Sequence, residues 1–242
     1  MPAAAKVRLH VAHPVGEGQT VPLDRDQAHY LFGVMRMEAG DWLFVFNQTS
    51  GEWLAEVAEA GKRGGVLRCL EQTRERRMPA DVWLLFAPIK KERTDFIVEK
   101  ATELGAAVIQ PVRTEFTQSE RVRTDRLQAH AVEATEQCGG TYVPEVRDLA
   151  PLDRVLADWP AGRRLMFCDE SRSGVASGLA GAEPGPWAIL VGPEGGFSEA
   201  ERTRLAALPY AVPVSLGPRI LRADTAAVAA LTLWQAALGD WR

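Results

Sequence analysis

Short apolar runs separated by turn residues fill the first third of the chain. Residues 41–46 (DWLFVF) predict a strand, 47–51 a turn, and 52–57 (EWLAEV) a returning strand; 66–70 (VLRCL) predict a third. Several short strands with turn punctuation point to a small β-barrel-like domain. Leu31, Val34 and Met35 fit an i, i+3, i+4 face, so residues 26–37 are expected to form one short helix. The polar stretch 72–80 (QTRERRMPA) ends in Pro79 and reads as a linker, which places domains at 1–77 and 78–242.

Beyond residue 80 the pattern alternates between strand and helix. Residues 82–86 (VWLLF) are continuously apolar. Residues 93–104 set Phe96, Ile97, Lys100, Ala101 and Leu104 at helical spacing, the lysine stem lying along the face, and Gly105 is a suitable stop. A strand at 108–112 and a longer helix at 119–138 follow; Leu127, Ala131, Ala134 and Cys138 share one face of that helix. Residues 165–168 and 188–191 predict buried strands. Ser198 and Glu201 are spaced as a capping box, so a helix starts there. Residues 212–216 predict a last strand whose Pro213 suits an edge, and 224–238 a last helix. The alternation implies a parallel α/β sheet covered on both faces.

Composition excludes several classes. Hydrophobic residues make up 46% and charged residues 25% of 242, which is not the balance of a disordered or collagen-like chain. The best candidate for a membrane span, 225–238, is short and interrupted by Thr232 and Gln235. The N-terminus lacks the apolar core of a signal peptide, so a cytoplasmic protein is expected. Net charge is -4, and residues 1–77 balance 10 basic against 10 acidic side chains, so no global nucleic-acid footprint exists. Local basic clusters, including Lys62, Arg63, Arg74, Arg76, Arg77, Lys90, Lys91 and Arg93, are mixed with Glu71, Glu75 and Glu92 and are compatible with an ordinary solvated face. Cys69, Cys138 and Cys168 form no C-x-x-C pair, which argues against a disulfide framework or zinc site; no metal is expected, and Cys138 is expected to pack.

Two loops hold the most specific chemistry. Leu190-Val191-Gly192-Pro193-Glu194-Gly195-Gly196-Phe197 runs into the capping box, and Leu216-Gly217-Pro218-Arg219-Ile220-Leu221-Arg222-Ala223-Asp224-Thr225 runs into the last helix. Both follow predicted strands, where open α/β sheets place ligands. Glycine admits close approach to the backbone and proline stiffens the turn. Two ordinary strand-to-helix turns are the alternative. Neither loop matches a Walker A sequence or G-x-G-x-x-G, and Ser198 is in no G-x-S-x-G elbow.

These residues resemble the RsmE family, the small-subunit (16S) rRNA uridine-N3 methyltransferases of the SPOUT superfamily. The resemblance rests on VGPEGGFSEAE at 191–201 and LGPRILRADTA at 216–226, with support from KKERTDFIVEKATELG at 90–105, EATEQCGGTYVPEV at 133–146, and His29, Val34-Met35-Arg36 and Gly40-Asp41. It implies an α/β chain with an N-terminal PUA-like β-barrel domain that binds RNA and a C-terminal SPOUT parallel-sheet domain with a deep trefoil knot. It also implies S-adenosyl-L-methionine as cofactor, 16S rRNA within the small ribosomal subunit as substrate, and a homodimer. The cofactor residues implied are Leu190, Val191, Gly192, Pro193, Glu194, Gly195, Leu216, Gly217, Pro218, Ile220 and Leu221. The RNA contacts implied are Arg8, His29, Arg36, Lys90 and Arg93. Three positions depart from the family pattern: Asp224 in place of Glu, Phe116 in place of Arg, and Gly140 in place of Arg.

The implied reaction sets the catalytic candidates. Uracil N3–H is a weak acid, and charge develops on the O2–N3–O4 system as the proton leaves. A guanidinium stabilises such charge, and Arg222 is the first candidate. Asp224 would orient Arg222, cap the last helix, or accept a proton only if burial raised its pKa. A salt bridge between the two is the structural alternative. His29 fits a surface residue as well as an RNA contact, and Trp42 and Trp53 fit a barrel core or a stacking platform. Lys90 and Arg93 flank a helix start, where cationic side chains oppose the helix dipole, so an RNA or cofactor-carboxylate role is open. Competing functions are a SPOUT enzyme acting on another nucleotide or on tRNA, a non-catalytic RNA-binding module, and an adenine-nucleotide-binding regulator.

Overall fold

The computed structural model describes residues 5–119, 121–169, 179 and 181–241. The chain divides into two compact units, Met1–Met78 with Thr135–Val143, and Pro79–Ala134 with Pro144–Arg242. In the first, β1 (Arg8–His10), β2 (Thr20–Leu23), α1 (Arg25–Ala28), β3 (Trp42–Asn47), β4 (Gly51–Gly61) and β5 (Gly64–Arg74) follow in chain order. The five-stranded sheet has the order β1-β3-β4-β5-β2; β1 runs parallel to β3 and the other neighbours are antiparallel. Leu9, Val21, Leu31, Leu43, Val45, Val57 and Leu67 meet in its core. Strands β4 and β5 extend past their apolar runs as one antiparallel ladder that continues to Gly61 and Gly64, and Arg68 pairs across it with Glu56 at 2.6 Å. Trp53 packs on the margin of the core and donates its indole N–H to the Ser50 carbonyl at 3.0 Å.

The helix expected at 26–37 forms differently. Asp24 and Gln27 cap α1 reciprocally, but α1 ends at Ala28 and His29–Val34 winds as a π-turn. The Met35 amide reaches the Tyr30 carbonyl at 2.9 Å, five residues back. This wider winding rotates the predicted face apart: Leu31 is buried, whereas Val34 and Met35 are 59% and 43% exposed. Arg36 then takes φ +56°, the one positive-φ non-glycine position among the described residues.

The second unit contains β6 (Val82–Phe86), α2 (Lys91–Glu103), β7 (Val108–Arg113), α3 (Thr124–Cys138, its last turn grouped with the first unit), β8 (Glu145–Val146), β9 (Ala150–Pro151), α4 (Leu152–Ala157), β10 (Arg164–Cys168), β11 (Trp187–Val191), α5 (Glu199–Ala207), β12 (Ala211–Val214) and α6 (Ala223–Leu238). The parallel order is β12-β10-β11-β6-β7-β8, with β9 pairing β7 separately. Pro213 lies on the edge strand β12, where its missing N–H costs least. Alternate residues divide the sheet faces. Leu85, Leu165, Phe167, Ala188 and Leu190 pack with Leu152 of α4 and Leu205 of α5, while α2 and α6 pack together with α6 against β11 and β6.

One expectation about a helix is corrected here. Cys138 is exposed although Leu127, Ala131 and Ala134 are buried, because it falls in the final turn, where the apolar stripe ends. On α6, Leu231, Trp234, Gln235 and Leu238 are buried within this unit, while Val228 is half-buried and Leu233 is exposed. Gln235 is tolerated there because its amide nitrogen donates to the Leu104 carbonyl at 2.7 Å and its oxygen accepts from the Asp240 amide at 3.1 Å. The Leu104 contact ties α6 to the end of α2, where Gly105 turns at φ +76°.

Within the first unit, Glu52 is a buried carboxylate. It accepts from Arg8 Nε at 2.7 Å, from the Thr73 hydroxyl at 2.9 Å and from Arg74. Arg8 also donates to the carbonyls of Thr135, Glu136 and Gly140 at 2.7–2.9 Å, around the C-terminus of α3. Such carbonyls lack helical donors and favour a cation. Arg8, expected among the RNA contacts, is thus engaged within this unit by Glu52 and three carbonyls.

Candidate active site

Strand β10 lies between β11 and β12, so the loops leaving β11 and β12 open on either side of its carboxyl end. They enclose a cavity of about 230 Å³. From the first loop come Val191, Gly192, Pro193 and Glu194; from the second come Leu216, Gly217, Pro218, Ile220 and Leu221. Leu190 does not reach the cavity because its side chain is buried in the sheet core. Gly195 does not line it either: it is exposed, and a Cβ there would stand 3.2 Å from Phe116 Cβ.

Local bonds hold both loops open. The Gly196 amide closes a turn onto the Pro193 carbonyl at 2.9 Å. The Ser198 hydroxyl accepts from the Glu201 amide at 3.3 Å, while the Glu201 carboxylate accepts from the amides of Ser198 at 3.0 Å and Glu115 at 2.9 Å. The last bond docks the segment bearing Phe116 onto the start of α5. In the second loop, Gly217 takes φ +116° and donates its amide to the Ser215 hydroxyl at 3.2 Å. Among the described residues, the backbone amides of Leu216, Ile220 and Leu221 have no intramolecular partner.

Further residues of the two motifs and of neighbouring segments complete the lining. Cys168 and Asp169 supply the end of β10, and Phe197, Ser215, Ala223 and Ala226 contribute further walls. Sequence reasoning missed Cys168 and Asp169 because the insertion of β10 between β11 and β12 is a property of the sheet order. Burial pushes the Cys168 thiol up to about 12, so it stays protonated at neutral pH. Apolar walls beside free backbone amides suit a purine nucleoside, whose base needs a dry slot and whose edge needs backbone partners. This donor set fits the adenosine moiety of the expected cofactor.

Gly192 is the tight point of the slot. A Cβ there would stand 2.9 Å from Phe197 Cε2. Gly192→Val is expected to displace the ring and weaken S-adenosylhomocysteine binding by roughly 1–3 kcal/mol. Calorimetric titration of the folded variant checks this; unchanged affinity would remove Phe197 and Gly192 from the binding slot.

Arg222 and Asp224 stand at the beginning of α6 but do not pair. Arg222 is the N-cap, is exposed, and has no side-chain bond among the described residues; its carbonyl accepts from the Ala226 amide at 2.7 Å. Asp224 pairs instead with Arg93 of α2 at 3.1 Å and accepts from the Thr225 amide at 2.9 Å. The expected roles of Asp224 as helix cap or Arg222 partner are thus both corrected. Lys90 is the exposed N-cap of α2. His29 and Arg36 are exposed in the first unit, on and just beyond its π-turn.

Comparison with known proteins agrees with this architecture. Residues 76–235 match the family model of an RNA methyltransferase domain, and 23–68 match an RNA methyltransferase PUA domain. A ribosomal RNA small subunit methyltransferase E from Rickettsia conorii is 30% identical over 231 residues, covering 93% of each chain. A crystal structure of a ribosomal RNA small subunit methyltransferase E from Neisseria gonorrhoeae, bound to S-adenosyl methionine, superposes with a TM-score of 0.89 at 27% identity, covering 98% of this chain and 99% of that one. A methyltransferase from Legionella pneumophila in complex with the same cofactor gives 0.88 at 29% identity, covering 98% of this chain and 100% of that one.

Proposed function

This chain belongs to the ribosomal RNA small subunit methyltransferase E family, and from that premise we propose that it methylates N3 of a uridine in 16S ribosomal RNA, using S-adenosyl-L-methionine. The observation that most supports the reading is the cavity formed jointly by the two glycine-proline loops at the ends of β11 and β12.

The cofactor supplies an electrophilic methyl group when bound. The free amides of Leu216, Ile220 and Leu221 offer it fixed donors, and Phe197, Leu216 and Leu221 keep water from the slot. Uracil N3 lies on the Watson–Crick edge, so the target uridine enters unpaired or flipped out. Arg222, next to the cavity-lining Leu221 and unpaired, is the group available to meet negative charge as N3 loses its proton. Asp224 serves the site by fixing Arg93, rather than as a base.

The same reading includes a knotted threading of the C-terminal segment, supported by the return of α6 from the edge strand β12 to pack against β11 and β6. It includes a homodimer, for which light scattering should give twice the chain mass, and a cytoplasmic location. No helix among the described residues is long and apolar enough to cross a membrane. The deciding experiment is transfer of labelled methyl to small-subunit rRNA lacking the modification, followed by mass mapping of the product. A single N3-methyluridine is expected. A methyl group on another atom or base would replace the proposed specificity, and no transfer to RNA would overturn the enzyme assignment for this substrate.

A further inference from the structure

A second cavity of about 350 Å³ lies in the methyltransferase unit, between the entrance to α2 and the segment running from Arg121 into α3. Its lining includes Lys91, Arg121, Arg123 and Arg126, with Asp95 as the acidic member. Arg126 is held by Asp95, and Arg123 is held by Asp125 at 2.5 Å. Lys91 and Arg121 are exposed and have no ion-pair partner among the described residues. Glu92 stands on the same turn of α2 as Lys91. Allowing for Asp95 and Asp125, the rim retains an excess of cations in a chain whose net charge is -4, so this is local accumulation.

The backbone adds to the excess. No side chain caps the N-terminus of α2, so its first amides remain available at the cavity edge. The hydroxyls of Thr94 and Ser119 are both bonded to the Ile89 carbonyl, at 3.1 Å each, which fixes this edge. A concave rim of guanidinium, ammonium and free amide groups is the chemistry that receives a phosphodiester.

The first turn of α2 also joins this cavity to the candidate active site. Lys91 lines the cavity, and Arg93, two residues on, pairs with Asp224, two residues beyond Arg222. Resting on the proposed RNA-methylating function, we propose that this cavity grips backbone phosphates of the RNA substrate, flanking the nucleotide presented to Arg222. Lys91 and Arg121 make the contacts; Arg123 and Arg126 shape the rim.

The test compares Lys91→Ala/Arg121→Ala with Arg154→Ala/Arg164→Ala, which removes two exposed cations elsewhere on the same unit. Affinity for small-subunit rRNA is measured against salt, with S-adenosylhomocysteine binding as the check on folding. Losing two phosphate contacts should make the logarithmic salt slope shallower by about 1.4–1.8, so the affinity ratio between 50 and 200 mM salt shrinks by roughly tenfold. Cofactor affinity should be unchanged, and the control variant should keep the wild-type slope. Equal slopes for all three proteins, or equal losses in both variants, would overturn the local site. Failure of the wild-type protein to bind or methylate rRNA would instead overturn the function on which the proposal rests.

Discussion

Glu52→Ala is expected to lower stability by about 3 kcal/mol, the low end for breaking a buried ion pair by removing one partner. The Glu52 side chain is 3% exposed and that of Arg8 12%, so the variant leaves the Arg8 charge buried. Its carbonyl bonds to Thr135, Glu136 and Gly140 survive, which is why the larger cost is not expected. Arg74, 47% exposed, can turn to solvent. For a chain of this length the loss corresponds to about 6–12 °C in the unfolding midpoint. The pH dependence has a fixed sign. Burial alone would raise the Glu52 carboxyl, but bonds from Arg74, Arg8 and Thr73 prevail and hold it below the usual carboxylate range. Its contribution is therefore complete above the unfolded carboxyl pKa, about 4.3, and is lost as pH falls through the lower folded value. Thermal melts from pH 3 to 7 check this, because the difference between the two proteins should narrow toward the acid end. A constant difference would mean that the alanine acts through packing.

The sequence made the strand-and-helix rhythm of the second unit legible because each element there is buried on a regular period. The strand Val82–Phe86 forms at the predicted residues, and Ser198 and Glu201 form the predicted capping box. The two glycine-proline loops were legible as a pair for a related reason: each follows a continuous apolar strand, and glycine and proline specify the turn locally. What escaped depends on other parts of the chain. The π-turn at His29–Val34 changes which residues share a face, so a 3.6-residue period misplaced Val34 and Met35. Cys168 and Asp169 join the cavity only through the parallel pairing of β10 with both β11 and β12. The partner of Asp224 lies 131 residues away, and local spacing favoured Arg222 two positions earlier. Arg8 looked like any exposed cation until folding surrounded it with Glu52 and three carbonyls.

Arg222→Ala is expected to slow single-turnover methylation by about 10²–10³, or roughly 3–4 kcal/mol, while leaving cofactor affinity nearly unchanged. The geometry separates the two effects. Leu221 and Ala223 line the cavity on either side of Arg222, but Arg222 itself does not, and its side chain is exposed. Its backbone is fixed as the N-cap of α6, with the carbonyl bonded to Ala226, and truncation beyond Cβ leaves that bond intact. No acidic partner among the described residues neutralises the guanidinium, since Asp224 is engaged by Arg93. A cation in this position gains most when charge appears on uracil, and an interaction made only in the transition state is lost from kcat. Arg222→Lys keeps the charge but loses the planar fork, so an intermediate rate is expected. Asp224→Asn, by loosening Arg93 without touching Arg222, should cost less than either. Near-normal single-turnover rates for Arg222→Ala at saturating RNA would assign the uracil charge to another group. Parallel losses of rate and cofactor affinity would mean that Arg222 shapes the loop rather than meeting the charge.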